Sequence, residues 1–150
     1  SKNKIIGVKR FLKNYSDKIK KQQIQLATIN RVIDNFNDPT ILAGDFNVAH
    51  EPIDLAQPKE NENTIGFLPE ERAWIDELIA AGWVDVFRQR NPNISEVYTY
   101  WNMQTRARDR NVGWRIDYFF VDKDLVGKVK RIEYLTKQMG SDHCPVLLEL

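Results

Sequence analysis

Three short segments of the chain carry side chains that can do acid–base or metal chemistry. Each lies at the end of a predicted strand or in the loop beside one; they are Gly44-Asp45-Phe46-Asn47, Asp117 within Arg115–Val121, and Ser141-Asp142-His143-Cys144. Carboxylates bind hard cations or accept protons, an amide orients water or a phosphate oxygen, and a histidine exchanges protons near neutral pH. Because residues two apart in an extended chain share a side, Asp45 and Asn47 are expected to point the same way.

Each segment by itself also has an ordinary structural explanation. Gly-Asp sequences are common in turns, and the Asp142 run is compatible with a turn whose Ser and Asp cap the backbone. Asp117 is flanked by apolar residues, so its burial would require a partner, either a structural salt bridge or a functional histidine. The functional interpretation pairs Asp117 with His143, which fixes the tautomer of the ring and stabilises its protonated form beside a phosphate. Asp142 would then hold metal or water.

Together the three segments favour metal-assisted hydrolysis of a phosphodiester, a reaction in which charge develops on phosphate oxygens and on the leaving group. The sequence contains no serine–histidine–acid order, phosphate-cradling glycine loop or dinucleotide fingerprint that would favour another chemistry. The other histidine, His50, lies in a loop and is interpreted as structural or substrate-contacting.

The elements that must position these residues follow from hydrophobic spacing and from helix-ending residues. A helix is predicted at about 17–36 and a second at about 69–81, which Pro69 begins and Gly82 ends. Strands are predicted at 40–43, 98–101, 115–121, 129–136 and 145–150, and a long loop at about 48–67 is a candidate substrate-contacting segment. This pattern predicts a single α/β domain over residues 1–150, with a mixed or antiparallel sheet and helices packed on one face.

The composition excludes several classes of protein. The 150 residues include 22 basic and 21 acidic side chains, and a net charge of +1 argues against nucleic-acid binding by bulk charge alone. A single cysteine, Cys144, excludes an internal disulfide and a cysteine zinc site, and favours an intracellular compartment without distinguishing cytoplasm from nucleus. No segment approaches the roughly 18 apolar residues of a membrane span. Residues 1–21 are basic, which indicates either an arm that touches phosphates or a solvated helix start.

The Gly44–Asn47 motif together with Ser141-Asp142-His143 resembles the endonuclease/exonuclease/phosphatase superfamily. That group also contains deoxyribonuclease I-like nucleases, inositol phosphatases, sphingomyelinases and deadenylases. Further segments look like its exonuclease III and abasic-site (AP) endonuclease branch; they are Asn47–Leu55, Gly66–Arg72, Asp85–Arg88, Tyr98–Trp101 and Asn111–Tyr118. The similarity covers about residues 39–150, whereas residues 1–38 match only loosely, as helix.

The resemblance implies a Mg²⁺-dependent hydrolase, with Mn²⁺ as an alternative cation, that incises double-stranded DNA 5′ to abasic sites and trims 3′ ends in base-excision repair. It implies that Asp45 activates water or protonates the leaving oxygen and that Asn47 orients phosphate. Asp117 and His143 would form the acid–histidine pair, and Asp142 with Asp45 would hold the metal. By the same resemblance, the pocket for a flipped-out abasic sugar comprises Tyr100, Trp114 and Ile116, and DNA contacts come from Asn61 and Arg110.

Two departures from the family pattern bear on these expectations. Tyr100 stands where the family more often has Phe, and plain core packing is the alternative role for Tyr100 and Trp114. Nothing before Asp45 matches the N-terminal motifs that supply the family's main metal-binding glutamate, and glutamate is absent from residues 1–50.

The chain also begins at Ser1 rather than Met. We therefore expect a C-terminal part, one layered half of the four-layer α/β sandwich of the deoxyribonuclease I-like fold, with an incomplete active site. Its uncovered sheet is expected to bind a missing N-terminal half or a second copy of the chain.

Two other functions remain open at the level of sequence. The same chemistry would suit RNA, a phosphoinositide or a lipid, although no membrane-facing insertion or inositol-reading basic cluster is visible. Alternatively, the chain is a non-catalytic fold unit that associates with itself through the uncovered sheet.

Overall fold

The computed structural model describes residues 38–150 without a gap and, before them, residues 17, 20, 21, 23, 24, 27, 28 and 31. Those eight positions are all helical, whereas the rest of the helix predicted at 17–36 and most of the basic segment at 1–21 lie outside the described residues. The chain divides into two units, residues 1–38 and residues 39–150. The second unit holds every predicted site residue.

Seven short strands and two α-helices build residues 39–150. The strands are β1 (Ile41–Asp45), β2 (Trp83–Asp85), β3 (Tyr100–Trp101), β4 (Gly113–Trp114), β5 (Asp117–Asp122), β6 (Arg131–Tyr134) and β7 (Val146–Glu149), and the helices are α1 (Pro69–Ala80) and α2 (Val86–Arg90). The strands form three antiparallel sheets, ordered β1-β5-β2, β3-β4 and β6-β7. The predicted α/β class is confirmed, and the pairing is antiparallel. No helix of the described residues is long and apolar enough to cross a membrane.

Helix α1 forms where the sequence predicts it, because both of its ends are specified locally. Pro69 occupies the first turn, and the Glu71 carboxylate accepts hydrogen bonds from the backbone N–H groups of Gly66 (2.7 Å) and Leu68 (3.0 Å). At the other end, Gly82 adopts a φ of +103°, which a residue with a side chain rarely tolerates. The helix buries Trp74, Ile75 and Leu78.

The face of the central sheet opposite the candidate site is closed by an aromatic cluster. Phe46 follows β1 directly, and its ring packs edge-on against the rings of Tyr118 (5.7 Å between centroids) and Phe120 (5.2 Å). Tyr118 and Phe120 are almost fully buried, whereas Asp117 and Phe119, which alternate with them along β5, are only half-buried. The alternation therefore leaves Asp117 on the more open face of the sheet.

A buried ion network fixes the junction between β4 and β5. The guanidinium of Arg115 is fully buried and bonds both carboxylate oxygens of Asp54, at 2.8 and 3.0 Å. It also lies 2.7 Å from the Asp85 carboxylate, while Arg88 bonds Asp54 at 2.5 Å. Burial would raise the pKa of Asp54, but the positive charges of Arg115 and Arg88 outweigh it, and that pKa lies below its ordinary value. The network ties the long loop after β1 to the strand that carries Asp117.

Candidate active site

Two carboxylates meet at one edge of the central sheet. Asp45 is the last residue of β1, Asp117 is the first residue of β5, and the antiparallel register places them directly opposite each other. Directly opposite residues of an antiparallel pair present their side chains on the same face of the sheet. Asp45 and Asp117 therefore share a face although 72 positions separate them in the sequence.

His143 completes the cluster. Its Nδ1 atom lies 2.8 Å from Oδ2 of Asp117, which is the hydrogen bond that the sequence predicts, and its Nε2 atom lies 4.0 Å from Oδ2 of Asp45. All three side chains remain partly open to solvent, with 29% of the His143 side chain exposed. Their ligand atoms all lie within 4.8 Å of one another, so the group is compact enough to hold one metal ion.

Backbone hydrogen bonds hold His143 in this place. Residues 142–144 run beside β3: Trp101 N–H donates to the carbonyl of Asp142 (2.9 Å), and Cys144 N–H donates to the carbonyl of Thr99 (2.8 Å). The Ser141 hydroxyl accepts from the backbone N–H of His143 at 3.1 Å. The histidine is thus carried by a segment that is bonded to a strand, which limits its movement relative to Asp117.

Thr99 is a positioning residue that sequence reasoning missed. It is fully buried, and its hydroxyl oxygen accepts hydrogen bonds from the backbone N–H groups of Ile116 (3.0 Å) and Asp117 (3.1 Å). Its carbonyl binds the Cys144 N–H, so Thr99 links the segments that carry Asp117 and His143. In the sequence its only signal is a threonine among aromatic strand residues, which β-propensity alone explains.

Asp45 and Asn47 lie in a tight turn at the end of β1. Asn47 adopts a left-handed φ of +56°, and its backbone N–H donates to Oδ1 of Asp45 at 2.8 Å. Burial raises the pKa of Asp45 above its ordinary value, and the charges of Asp117 and Asp142 raise it further. The Asn47 N–H and His143 act in the opposite direction. A carboxylate with a raised pKa is a stronger base than an ordinary surface aspartate.

Asp142 affects Asp45 through its negative charge and is not a member of the compact cluster. Its carboxylate accepts a hydrogen bond from the Ser141 hydroxyl at 3.2 Å, and it lies outside the three-residue group that Asp45, Asp117 and His143 form. Its charge nevertheless raises the pKa of Asp45. A divalent cation near Asp45 would relieve this repulsion between carboxylates, and carboxylate and amide oxygens are ligands that Mg²⁺ prefers. The residues present therefore fit such a cation.

The three predicted pocket residues lie together beside this cluster. Tyr100 and Trp114 are paired across β3 and β4, and both are half-buried against Ile116 in one apolar cluster with Ala49, Leu55 and Phe67. The Tyr100 ring lies 5.1 Å from the His143 ring, centroid to centroid. The aromatic side chains are thus neither fully buried core nor free surface, and they adjoin the histidine.

The two predicted DNA-contacting residues make local bonds: Asn61 lies in a loop, and Arg110 is the last residue of a short 3-10 helix, Ala107–Arg110. The side-chain amide of Asn61 donates to the Gln57 carbonyl at 2.9 Å, and the exposed Arg110 donates to the Thr105 carbonyl at 3.2 Å. Neither side chain belongs to the compact group of Asp45, Asp117 and His143. A contact with DNA stays a prediction for both.

Comparison with known proteins finds one family model and several nucleases that are similar to this chain. The family model described as "Endonuclease/Exonuclease/phosphatase family" matches residues 8–143. An exodeoxyribonuclease of Bacillus subtilis is 47% identical over 110 residues, which are 73% of this chain and 44% of that protein. The "DNA repair nuclease APEX1" of Danio rerio is 45% identical over 112 residues, 75% of this chain and 36% of that protein. The chain therefore spans less than half the length of these curated relatives.

Two solved structures of AP endonucleases resemble this one. The enzyme of Leishmania major has a TM-score of 0.68 and 40% identity, with 71% of this chain and 33% of that chain covered. The enzyme of Archaeoglobus fulgidus has a TM-score of 0.74 and 28% identity, with 86% of this chain and 54% of that chain covered.

Proposed function

Because the chain belongs to the endonuclease/exonuclease/phosphatase family, we propose that it takes part in Mg²⁺-dependent hydrolysis of phosphodiester bonds in DNA. The reaction we propose is incision 5′ to abasic sites, with trimming of 3′ ends as a second activity. Exodeoxyribonucleases and AP endonucleases among its relatives support a nuclease of DNA repair. We also propose an intracellular location, where this DNA substrate lies.

The observation that carries the proposal is the position of His143 between Asp117 and Asp45. With Asp117 bonded to Nδ1 at 2.8 Å, the ring is oriented so that Nε2 faces the space beside Asp45. Protonated on both nitrogens, His143 would donate from Nε2 to a phosphate oxygen and stabilise the charge that develops there. The carboxylate of Asp117 would hold the ring in this orientation through its hydrogen bond to Nδ1.

Asp45 is the residue we assign to proton transfer with the attacking water or the leaving oxygen. Without a cation, burial and the neighbouring carboxylates raise the pKa of Asp45, which makes it a stronger base than an ordinary aspartate. Asn47, held next to it in the turn after β1, is assigned to orient a phosphate oxygen. Asp45 with Asp142 would hold Mg²⁺, or Mn²⁺ with the same oxygen ligands. The bound cation would neutralise charge on the phosphate.

The substrate preference rests on the apolar surface next to His143. Tyr100, Trp114 and Ile116 border the cluster, and a flipped-out sugar without a base would fit an apolar site too small for a full nucleotide. Asn61 and Arg110 are assigned to contacts with the DNA on either side. Selection by shape would then explain a preference for abasic sites over intact nucleotides.

The site is proposed to be completed by another part of the family fold. On the face that carries Asp45 and Asp117, Ala43 is exposed and Phe119 opposite it is only half-buried, so this face has room for a further layer. We propose that an N-terminal half, or a second copy of this chain, covers this face and adds metal ligands.

A cleavage assay tests the proposal. Its substrate is a duplex with one stable abasic-site analogue, assayed with Mg²⁺ and with EDTA. The chain is assayed alone and mixed with the N-terminal segment of the Bacillus subtilis relative. We expect Mg²⁺-dependent incision 5′ to the analogue in the mixture, abolished by His143→Ala and strongly reduced by Asp117→Asn. Asp124→Asn makes the same chemical change in an exposed turn, and we expect it to leave cleavage unchanged. Incision that survives His143→Ala would contradict the role proposed for this histidine. Silence in every mixture would contradict the proposal as a whole and favour a non-catalytic fold unit.

A further inference from the structure

A second cluster of metal-ligating side chains lies outside the candidate active site. It consists of His50 and Glu51, in the loop after β1, and Asp76, on α1. The Nε2 atom of His50 lies 2.8 Å from Oδ1 of Asp76 and 3.6 Å from Oε1 of Glu51. The ligand atoms of the three residues all lie within 4.8 Å of one another. We propose that this cluster binds a divalent transition-metal cation of the Zn²⁺ type.

The kind of ligand decides the kind of cation. One imidazole nitrogen and two carboxylate oxygens suit Zn²⁺ and its neighbours in the first transition row, whereas Mg²⁺ takes oxygen ligands and keeps several waters. Bonds of about 2.1 Å in a tetrahedral site put ligand atoms roughly 3.4 Å apart. The distance from His50 to Glu51 already meets that requirement, and the Asp76 oxygen needs to retreat by about half an ångström. The Asp76 side chain is 66% exposed, so this movement meets little resistance.

Contacts within the folded chain already hold His50 and Glu51 in place without a cation. The side chain of His50 is only 9% exposed, its backbone N–H donates to the Tyr118 hydroxyl (3.2 Å), and its carbonyl accepts from Nε of Arg72 (2.6 Å). Arg72 also bonds Oε2 of Glu51 at 3.2 Å, which leaves Oε1 directed at the histidine. A site with oriented ligands binds with less loss of conformational freedom. The positive charge of Arg72 opposes the cation, so we expect moderate affinity.

Binding of the cation would cross-link the loop after β1 to helix α1. Without a cation, the hydrogen bond between His50 and Asp76 alone connects these two side chains. A cation would replace that single bond with three ligand bonds. Because it would bind the folded chain and not the unfolded one, it would raise the melting temperature in proportion to the logarithm of its concentration.

The test is a Co²⁺ titration followed by visible absorption, with Zn²⁺ as the competitor. The full chain carries Asp45→Asn and His143→Gln, which remove two of the three ligating side chains of the compact group in the candidate active site. We expect one Co²⁺ per chain with a d–d spectrum, displaced by Zn²⁺ and not by a tenfold excess of Mg²⁺. Asp76→Asn and Glu51→Gln should each weaken binding at least tenfold. Glu77→Gln removes the same charge one residue further along α1 and should leave affinity unchanged.

Nuclear magnetic resonance of the His50 ring separates a metal ligand from a folding effect. Zn²⁺ should shift the ring Nε2 resonance in the parent chain and not in Asp76→Asn. The backbone spectra of both chains should remain those of a folded protein. The proposal is overturned if Co²⁺ shows no saturable binding. It is equally overturned if Asp76→Asn binds like Glu77→Gln, which would leave the His50–Asp76 contact as a plain hydrogen bond.

Discussion

The Nδ1 atom of His143 lies 2.8 Å from the Asp117 carboxylate, although 26 residues separate the two along the chain. The contact requires that β5 present Asp117 on the open face of the sheet and that the segment carrying His143, before β7, be bonded to β3. Thr99 bonds both segments: its hydroxyl accepts from the Asp117 N–H, and its carbonyl accepts from the Cys144 N–H. The pair is therefore a product of tertiary structure and not of a local turn.

The first prediction concerns the tautomer of His143. With an ionised Asp117, the neutral ring should carry its proton on Nδ1 and leave Nε2 as the free nitrogen. Asp117→Asn removes this preference, since the new amide can also donate to Nδ1. We expect the ¹⁵N shifts of the His143 ring to move toward the other tautomer, and cleavage in the active mixture to fall by about 10²–10⁴-fold.

The chain has only two histidines, so His50 serves as the internal reference for this measurement. Its ring shifts should not change in Asp117→Asn, because its partners are Asp76 and Glu51. Unchanged shifts for both rings would mean that Asp117 does not set the tautomer of His143.

Much of the fold and of the cluster could be predicted from the sequence. The resemblance to the abasic-site endonuclease branch and the α/β class, as part of a deoxyribonuclease I-like fold, are confirmed by the relatives and the solved structures. Helix α1 was predictable because Pro69 and Gly82 mark its ends locally. The pairing of Asp117 with His143 was predictable because an acid among apolar strand residues requires a partner. The catalytic roles of these residues remain predictions.

Other features could not be predicted because their partners are distant in the sequence. Arg115 is the first residue of the predicted strand 115–121, and nothing in the sequence shows that it is buried. In the structure it is fully buried and bonds Asp54, which lies 61 residues earlier. Strand β2 and helix α2 have only three and five residues, too few for a hydrophobic period to be visible. Thr99 acts through backbone groups that become its neighbours only after the sheet has formed.

The second prediction concerns the buried ion network. Asp54→Asn removes the negative charge that two arginines share and leaves Arg115 charged and fully buried. Breaking one partner of a buried pair costs about 3–5 kcal/mol in the free energy of unfolding. Chemical denaturation measures this loss. As the control, Asp109→Asn breaks an exposed ion pair with Arg106, and its cost should not exceed about 1 kcal/mol. Equal losses in both variants would contradict the prediction that the buried ion network of Asp54 stabilises the fold more than an exposed ion pair does.

The third prediction is a pH dependence that follows from the same aspartate. The pKa of Asp54 is lower in the folded chain than its ordinary value, so its ionised form favours folding. That contribution is fully present above the ordinary carboxyl range, near pH 4, and is lost as the pH falls through the folded pKa. Unfolding free energies measured from pH 6 downward should decline steeply below about pH 4 in the parent chain. Asp54→Asn should decline less steeply, whereas Asp109→Asn should follow the parent; parallel curves for the parent and Asp54→Asn would contradict this assignment.

The fourth prediction concerns Arg108, which anchors the loop that leads to His143. Its guanidinium donates to the backbone carbonyls of Thr136 (2.8 Å), Gln138 (2.6 Å) and Ser141 (3.0 Å), and it lies over the Trp101 ring at 4.5 Å. Arg108→Lys keeps the charge but loses the planar fork that reaches three carbonyls. We expect a loss of about 1–3 kcal/mol in local stability, seen as faster amide hydrogen exchange in residues 137–143. Arg110→Lys, which changes an exposed side chain in the same stretch with one bond to Thr105, should leave that exchange unchanged. If the two variants exchange alike, the order of the His143 segment comes from its bonds to β3 and not from Arg108.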